Sequence, residues 1–137
     1  GTTVKFEVDI PFVRLLGFDL EEFDEGRSRI RYAPMADHCN AFGLTHGGVL
    51  MTLLDVTMAS AARSVQKAMG LVTIEMKTSF MQAARGALVC NGRLMHRTGS
   101  MAFTEATVLD EAGQSCAHAT GTFKYTQPLR DATVIAQ

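Results

Sequence analysis

The sequence predicts an α+β domain, a curved antiparallel β-sheet wrapped around one long central helix. Three observations carry that prediction. One stretch, from about Gly47 to about Lys67, has apolar residues on nearly every side of a helical wheel, including Leu50, Leu53, Leu54, Met58 and Ala62, and a helix apolar nearly all round is buried nearly all round. Two segments before it and four after it read as antiparallel strands, with turn residues between the later ones. A single sheet that curves around the helix is the simplest packing for that order.

The elements follow in turn. Residues 11–17, PFVRLLG, read as a short helix, because Pro11 fits a first turn and Gly17 a stop. FDLEEFDEGRSRIRYA reads as two strands joined at Asp24-Glu25-Gly26, a turn sequence. Ile30 and Tyr32 alternate with Arg29 and Arg31, so the second strand has one wet face. An irregular stretch from Pro34 to His46 leads into the long helix, which Gly70 is expected to end. VTIEMKTSF alternates: Ile74, Met76, Thr78 and Phe80 fall on one face, Thr73, Glu75, Lys77 and Ser79 on the other. ALVCNGRLMHR, MAFTEATVL and SCAHATGTFKY complete the sheet, with TGS and DEAG as the turns between them. Residues 1–137 form a single domain, in which the N-terminal segment 1–10 and the tail 126–137 are expected to be poorly ordered, Val134 and Ile135 being the tail residues suited to docking.

Composition excludes several classes of function. The net charge is −1 with no basic block, so no nucleic-acid partner is expected. No apolar run approaches the ~20 residues of a membrane span, and the opening GTTVKFEVDI lacks the apolar centre of a secretory signal. Cys39, Cys90 and Cys116 are odd in number and show no C-x-x-C spacing. That argues for reduced, mostly buried thiols in a cytoplasmic protein, and against a disulfide framework or a zinc site.

The chemistry concentrates in NAFGLTHGG, residues 40–48, and the helix behind it. Gly47 and Gly48 stand where backbone N–H groups have no partner in the helix and the positive end of its dipole lies. Without Cβ atoms they let a ligand reach that backbone, which suits an anion or the transient oxyanion of a carbonyl under attack. They equally suit close packing of the helix on the sheet. Asp55 is a carboxylate on an apolar helix, with Met51, Thr52, Met58 and Ala59 on its face. Apolar surroundings raise a carboxyl pKa and suit it to base catalysis near neutral pH. The alternative is a buried Asp satisfied by Thr52 or by a backbone donor.

Together, the glycine start and the buried acid favour a hydrolytic site. Asn40 either donates its amide to the carbonyl oxygen that the Gly47 N–H would hold or supports the irregular loop. His46 suits a structural role in that loop better than general-base catalysis. Thr73 either holds a water beside a carboxylate or is ordinary strand composition. Asp37, His38, Cys39, His46 and Asp55 include metal-ligand types, but their spacing matches no metal motif. Cys116 and His118 lack a third member to orient a nucleophile.

Asn40-x-x-Gly43-x-x-His46-Gly47-Gly48, with Asp55 seven residues further on, resembles the hotdog-fold acyl-CoA thioesterases, in particular the phenylacetate-pathway and thioesterase-superfamily-member-2 type. The likeness runs from about Pro11 to Tyr125. It implies that Gly47 polarises the thioester carbonyl of an acyl-CoA through its N–H, with Asn40 assisting. Asp55 would be the general base or nucleophile. Thr73, where Ser is commoner, would help hold the attacking water. The resemblance implies a homodimer, or a tetramer built as a dimer of dimers, and no metal or organic cofactor. Phe42, Met51, Met58 and Phe80 are the candidates to line the acyl pocket, and His46 and Gly48 to border the substrate. Arg63, Arg85, Arg97 and Lys124 are the cations available to CoA phosphates. One alternative is a hotdog module that binds acyl-CoA without cleaving it, which has no need of a carboxylate at position 55. The other is a hotdog dehydratase, whose usual His and acid are further apart in sequence than His46 and Asp55.

Helix geometry adds a constraint. Asp55 lies eight residues beyond Gly47, which is ~12 Å along a continuous helix. A base and an oxyanion donor must both reach one carbonyl. Two helices packed antiparallel across a two-fold axis meet that need, because Gly47 of one then faces Asp55 of the other. The sequence therefore predicts active sites shared between subunits, two per dimer.

Overall fold

Glu25 and Gly26 both take positive φ, 51° and 80°. A two-residue hairpin needs that pair, so that the turn matches the twist of its strands. The hairpin joins β1 (Asp19–Asp24) to β2 (Arg27–Tyr32), and short helix α1 (Pro11–Leu16), capped at Gly17, precedes it. After a 3-10 turn at Ala36–His38 come α2 (Gly47–Arg63), β3 (Met69–Phe80), β4 (Leu88–Arg97), β5 (Met101–Leu109) and β6 (Ser115–Pro128). The computed structural model describes Phe6 and residues 8–128. Among them no helix is long and apolar enough to cross a membrane.

The strands form one sheet in the order β1-β2-β4-β5-β6-β3, antiparallel at every pair. Leu53, Leu54, Met58 and Ala62 of α2 share one core with Ile30, Cys90, Val108 and Phe123 of the sheet. Three side chains tie the helix down: Ser28 Oγ donates to Thr57 O (2.5 Å), Tyr125 OH to Ala62 O (2.7 Å), and Ser64 Oγ accepts from Gly26 N (2.8 Å). Gly92 allows this closeness. A Cβ there would stand 2.7 Å from Thr57 O and 2.5 Å from Ser28 Oγ.

Four details depart from the expectation. The helix ends at Arg63 instead of Lys67, because the Ser64 hydroxyl bonds Ala61 O (2.7 Å) and the chain must reach Met69, which already pairs with Pro128. Gly70 is no helix terminator; it is buried inside β3, which begins three residues before Val72. The helix is not enclosed on every side, since Met51 is 39% exposed and Thr52, Asp55, Val56 and Ala59 are half-buried. β6 runs through Pro128, past the expected start of the tail at Thr126, and residues 129–137, Val134 and Ile135 among them, lie outside the described residues.

The alternation expected in β3 also breaks. Thr73 pairs with Phe123 and Glu75 with Thr122, which leaves Ile74 as an extra residue, a β-bulge. Opposed residues share a face of the sheet. Thr73 therefore joins Met76 on the helix side, opposite buried Phe123, while Glu75 faces out and accepts a hydrogen bond from Thr122 (2.7 Å).

Candidate active site

The loop before α2 is held from both ends. Asn40 N donates to Leu44 O (2.7 Å), and Asn40 Oδ1 accepts from Phe42 N (2.9 Å) and Leu44 N (3.2 Å). The carbonyl half of the Asn40 side chain is thus used to build the loop. Its NH2 half has no partner among the described residues. Tyr32, 2% exposed, hydrogen-bonds His38 Nδ1 at 2.6 Å, and His38 O accepts from His46 N at 2.9 Å. The core thereby anchors the segment that delivers His46 to the helix start.

His46 is the N-cap of α2. Its Nδ1 accepts from Gly48 N at 2.8 Å, which puts the proton of the neutral ring on Nε2. His46 thus caps the helix that Gly47 opens. With the Gly48 N–H engaged, and the next two amides bonded to His46 O, the Gly47 N–H has no partner among the described residues. Close packing does not demand glycine at 47, because a Cβ there would meet Phe80 at an ordinary 3.5 Å.

Asp55 occupies the half-buried face of α2, about two turns further on. Thr73 Oγ1 donates to Asp55 Oδ1 at 2.7 Å. Thr52 is turned elsewhere, its hydroxyl donating to Gly48 O (2.9 Å). Asp55 Oδ2 has no partner among the described residues and is free to accept from a water. Burial pushes the Asp55 carboxyl above the ordinary range, and the Thr73 hydrogen bond offsets that only in part. A half-buried carboxylate with a raised pKa, one fixed oxygen and one open oxygen is equipped to take a proton from water.

Asp55 and Thr73 open into a cavity of about 540 Å³. Met51, Val56, Ala59, Leu71, Met76 and Phe123 line it from α2 and the sheet. Phe6, Val8, Ile10, Phe12 and Val13 complete its lining. The sequence reading did not single out these N-terminal residues, although Phe6, Val8 and Ile10 stand two apart and mark an apolar edge.

The candidate residues thus fall into two groups within one chain. Asp55, Thr73 and Met51 border the cavity. Asn40, His46, Gly47 and Gly48 gather at the start of α2, where Phe80 lies beside Gly47. α2 is continuous between the groups, so Gly47 and Asp55 stay ~12 Å apart along its axis. Phe42 is 83% exposed at the loop tip. Met58, expected at the acyl pocket, is fully buried in the core, its methyl group packed where Gly121 has no side chain. Arg97 borders neither group; its guanidinium lies over the Tyr125 ring at 4.9 Å. Among the described residues no three His, Cys, Asp or Glu side chains converge to hold a metal ion.

A six-stranded antiparallel sheet curved around one principal helix, with a glycine pair opening that helix and a half-buried acid on it, defines a hotdog-fold protein. The chain belongs to the thioesterase superfamily, whose family model matches residues 42–117. That span holds Gly47, Asp55 and Thr73; Asn40 lies just outside it.

Among solved structures, a conserved protein of Pseudomonas aeruginosa is 29% identical, with a TM-score of 0.83 over 87% of this chain and 96% of that one. The PaaI protein of the E. coli phenylacetic acid degradation operon superimposes with a TM-score of 0.82 over 88% of this chain and 87% of that one. At 19% identity, that likeness shows the fold. A protein of Saccharolobus solfataricus, provisionally named an esterase, is 25% identical over 111 residues, 80% of this chain and 79% of its own length.

Proposed function

We propose that the protein is a cytoplasmic acyl-CoA thioesterase that hydrolyses the thioester bond to release the free acid and CoA. The observation that carries the reading is the Asp55–Thr73 pair, a carboxylate with raised pKa and one open oxygen set in the wall of an apolar cavity. Asp55 takes a proton from a water held beside it and by Thr73, and the water oxygen attacks the thioester carbonyl carbon. The carbonyl oxygen becomes an oxyanion and accepts hydrogen bonds from the Gly47 N–H and the Asn40 amide. Collapse of the tetrahedral species breaks the C–S bond. The leaving thiolate takes up the proton that Asp55 received.

In this reading the donors and the base come from different subunits, since one continuous helix holds them apart. β3 supports an assembly of two chains. It is an edge strand whose Val72, Ile74 and Phe80 are 47%, 52% and 53% exposed, and a long apolar edge is a template for pairing with another chain. Two such dimers then form the homotetramer.

The test is thiol release by the purified protein across acyl-CoAs from acetyl through long-chain to phenylacetyl and benzoyl, with light scattering for the assembly. Release of CoA from none of them refutes the thioesterase reading, and a monomer at assay concentration refutes the shared site.

A further inference from the structure

Met51, Asp55, Ala59 and Arg63 stand four residues apart along one stripe of α2, and all four border the cavity. From Asp55 the lining continues one turn toward Met51 but two turns, ~12 Å, toward Arg63. The N-terminal strap contributes Phe6, Val8, Ile10 and Phe12 to the same lining, and β3 contributes Leu71 and Met76. Among the described residues, the ionisable groups bordering the trough are Asp55, where the chemistry is proposed, and Arg63, two turns beyond it, whose guanidinium lies over the Phe23 ring at 5.1 Å.

We infer that this trough is the acyl site. It takes straight aliphatic acyl groups of medium to long chain, which run from Asp55 toward Arg63 beneath the N-terminal strap. This rests on the thioesterase reading. A cavity of about 540 Å³ is of the size that encloses drug-sized ligands, ~300–1,000 Å³. An acetyl group leaves most of its apolar wall uncovered. A phenyl ring held near Asp55 leaves the half between Ala59 and Arg63 empty. A flexible chain covers the whole wall, and each methylene adds burial. Phe6, Val8, Ile10, Phe12 and Val13, none of them a candidate catalytic residue, thereby set specificity.

The experiment measures kcat/KM of the full chain on straight acyl-CoAs from acetyl to dodecanoyl, with phenylacetyl-CoA and an ω-carboxyl acyl-CoA alongside. The value is expected to rise about fourfold per methylene, ~0.8 kcal/mol, until the trough is full. Ala59→Phe sets a ring one turn beyond Asp55 and is expected to cut the long-to-short ratio roughly tenfold or more. Ala59→Leu does so more weakly and serves if the larger ring prevents folding. Leu15→Ser, at an α1 residue that is 70% exposed, is expected to leave the profile unchanged.

A profile flat in chain length, or one led by the phenylacetyl or ω-carboxyl thioester, overturns the acyl-site assignment while hydrolysis itself stands. An Ala59 variant that lowers every chain by one factor, or a Leu15→Ser variant that shifts the profile, does the same. Hydrolysis of no thioester removes the thioesterase reading and the acyl site with it.

Discussion

Replacing Asp55 with Asn keeps the size and polarity of the side chain and removes its charge and its basicity. Two opposite effects are expected. The rate falls, because Asn cannot take a proton from water; general-base catalysis is worth ~10²–10⁴ in kcat. Stability rises at neutral pH. Burial holds the folded-state pKa of Asp55 above its unfolded value, with the Thr73 hydrogen bond only partly compensating. The folded chain therefore binds the proton more tightly than the unfolded chain does.

Where protons bound exceed those of the unfolded state, stability falls as pH rises. The contribution of Asp55 is fully present below the ~3.9 of an ordinary Asp and is lost as pH rises through the raised folded value. Asn carries no such penalty, and the Thr73 hydroxyl can still donate to its Oδ1. Thermal unfolding of both proteins from pH 4 to pH 8 is the assay, with thioester hydrolysis on the same samples. The Tm of Asp55→Asn minus that of the parent should be near zero at the acid end and grow through the raised pKa. A folded variant with near-parental kcat removes Asp55 from the chemistry. A Tm difference that is negative, or that shrinks with rising pH, shows that the charged carboxylate is not penalised by burial.

Three further outcomes follow from the same geometry. Thr73→Ala removes the one hydrogen bond that lowers the Asp55 pKa, so the acid limb of the pH–rate profile should move to higher pH, while Thr73→Ser should restore it; an acid limb that stays in place in Thr73→Ala assigns it to another group. Asn40→Ala and Asp55→Asn, each inactive alone, should regain roughly a quarter of parental activity on equal co-expression, because half the dimers mix and one of their two sites is intact; isolated mixed dimers no more active than either parent end the shared-site reading. Gly92→Ala should lower stability by ~1–3 kcal/mol in urea unfolding, because its Cβ must displace Thr57 O or Ser28 Oγ; an unchanged midpoint shows that β4 and α2 can move apart freely.

Elements whose signal is local were legible in the sequence. The Asp24-Glu25-Gly26 turn, the Pro11 start and Gly17 stop of α1, and the apolar stripe of α2 each depend on residues within a turn of one another. Boundaries set by distant partners were not. Gly70 reads as a helix stop, yet Ser64 and the pairing of Met69 with Pro128 settle the end of α2 first. The sequence alone also suggests that Met58 faces Asp55, because three residues on a helix are neighbours. Only the approach of Gly121, more than sixty residues away, assigns it to the core. The N-terminal strap shows the same limit, since its alternation marks an apolar edge without saying what that edge covers.

The β3 bulge matters most for the candidate site. Alternation assigns Thr73 to the face of Glu75, away from the helix. A threonine there could not reach Asp55, and the motif resemblance and the periodicity of β3 would contradict each other. One unpaired residue, Ile74, resolves the conflict by exchanging the faces on either side of it. Composition carries no trace of that exchange, because the bulge is fixed by the pairing of β3 with β6: Thr73 opposes Phe123 while Glu75 opposes Thr122. The bulge leaves Met76, Thr78 and Phe80 on the helix side and brings Thr73 to join them. The strand can then offer a hydroxyl to the acid of α2 and still present apolar residues to the cavity below it.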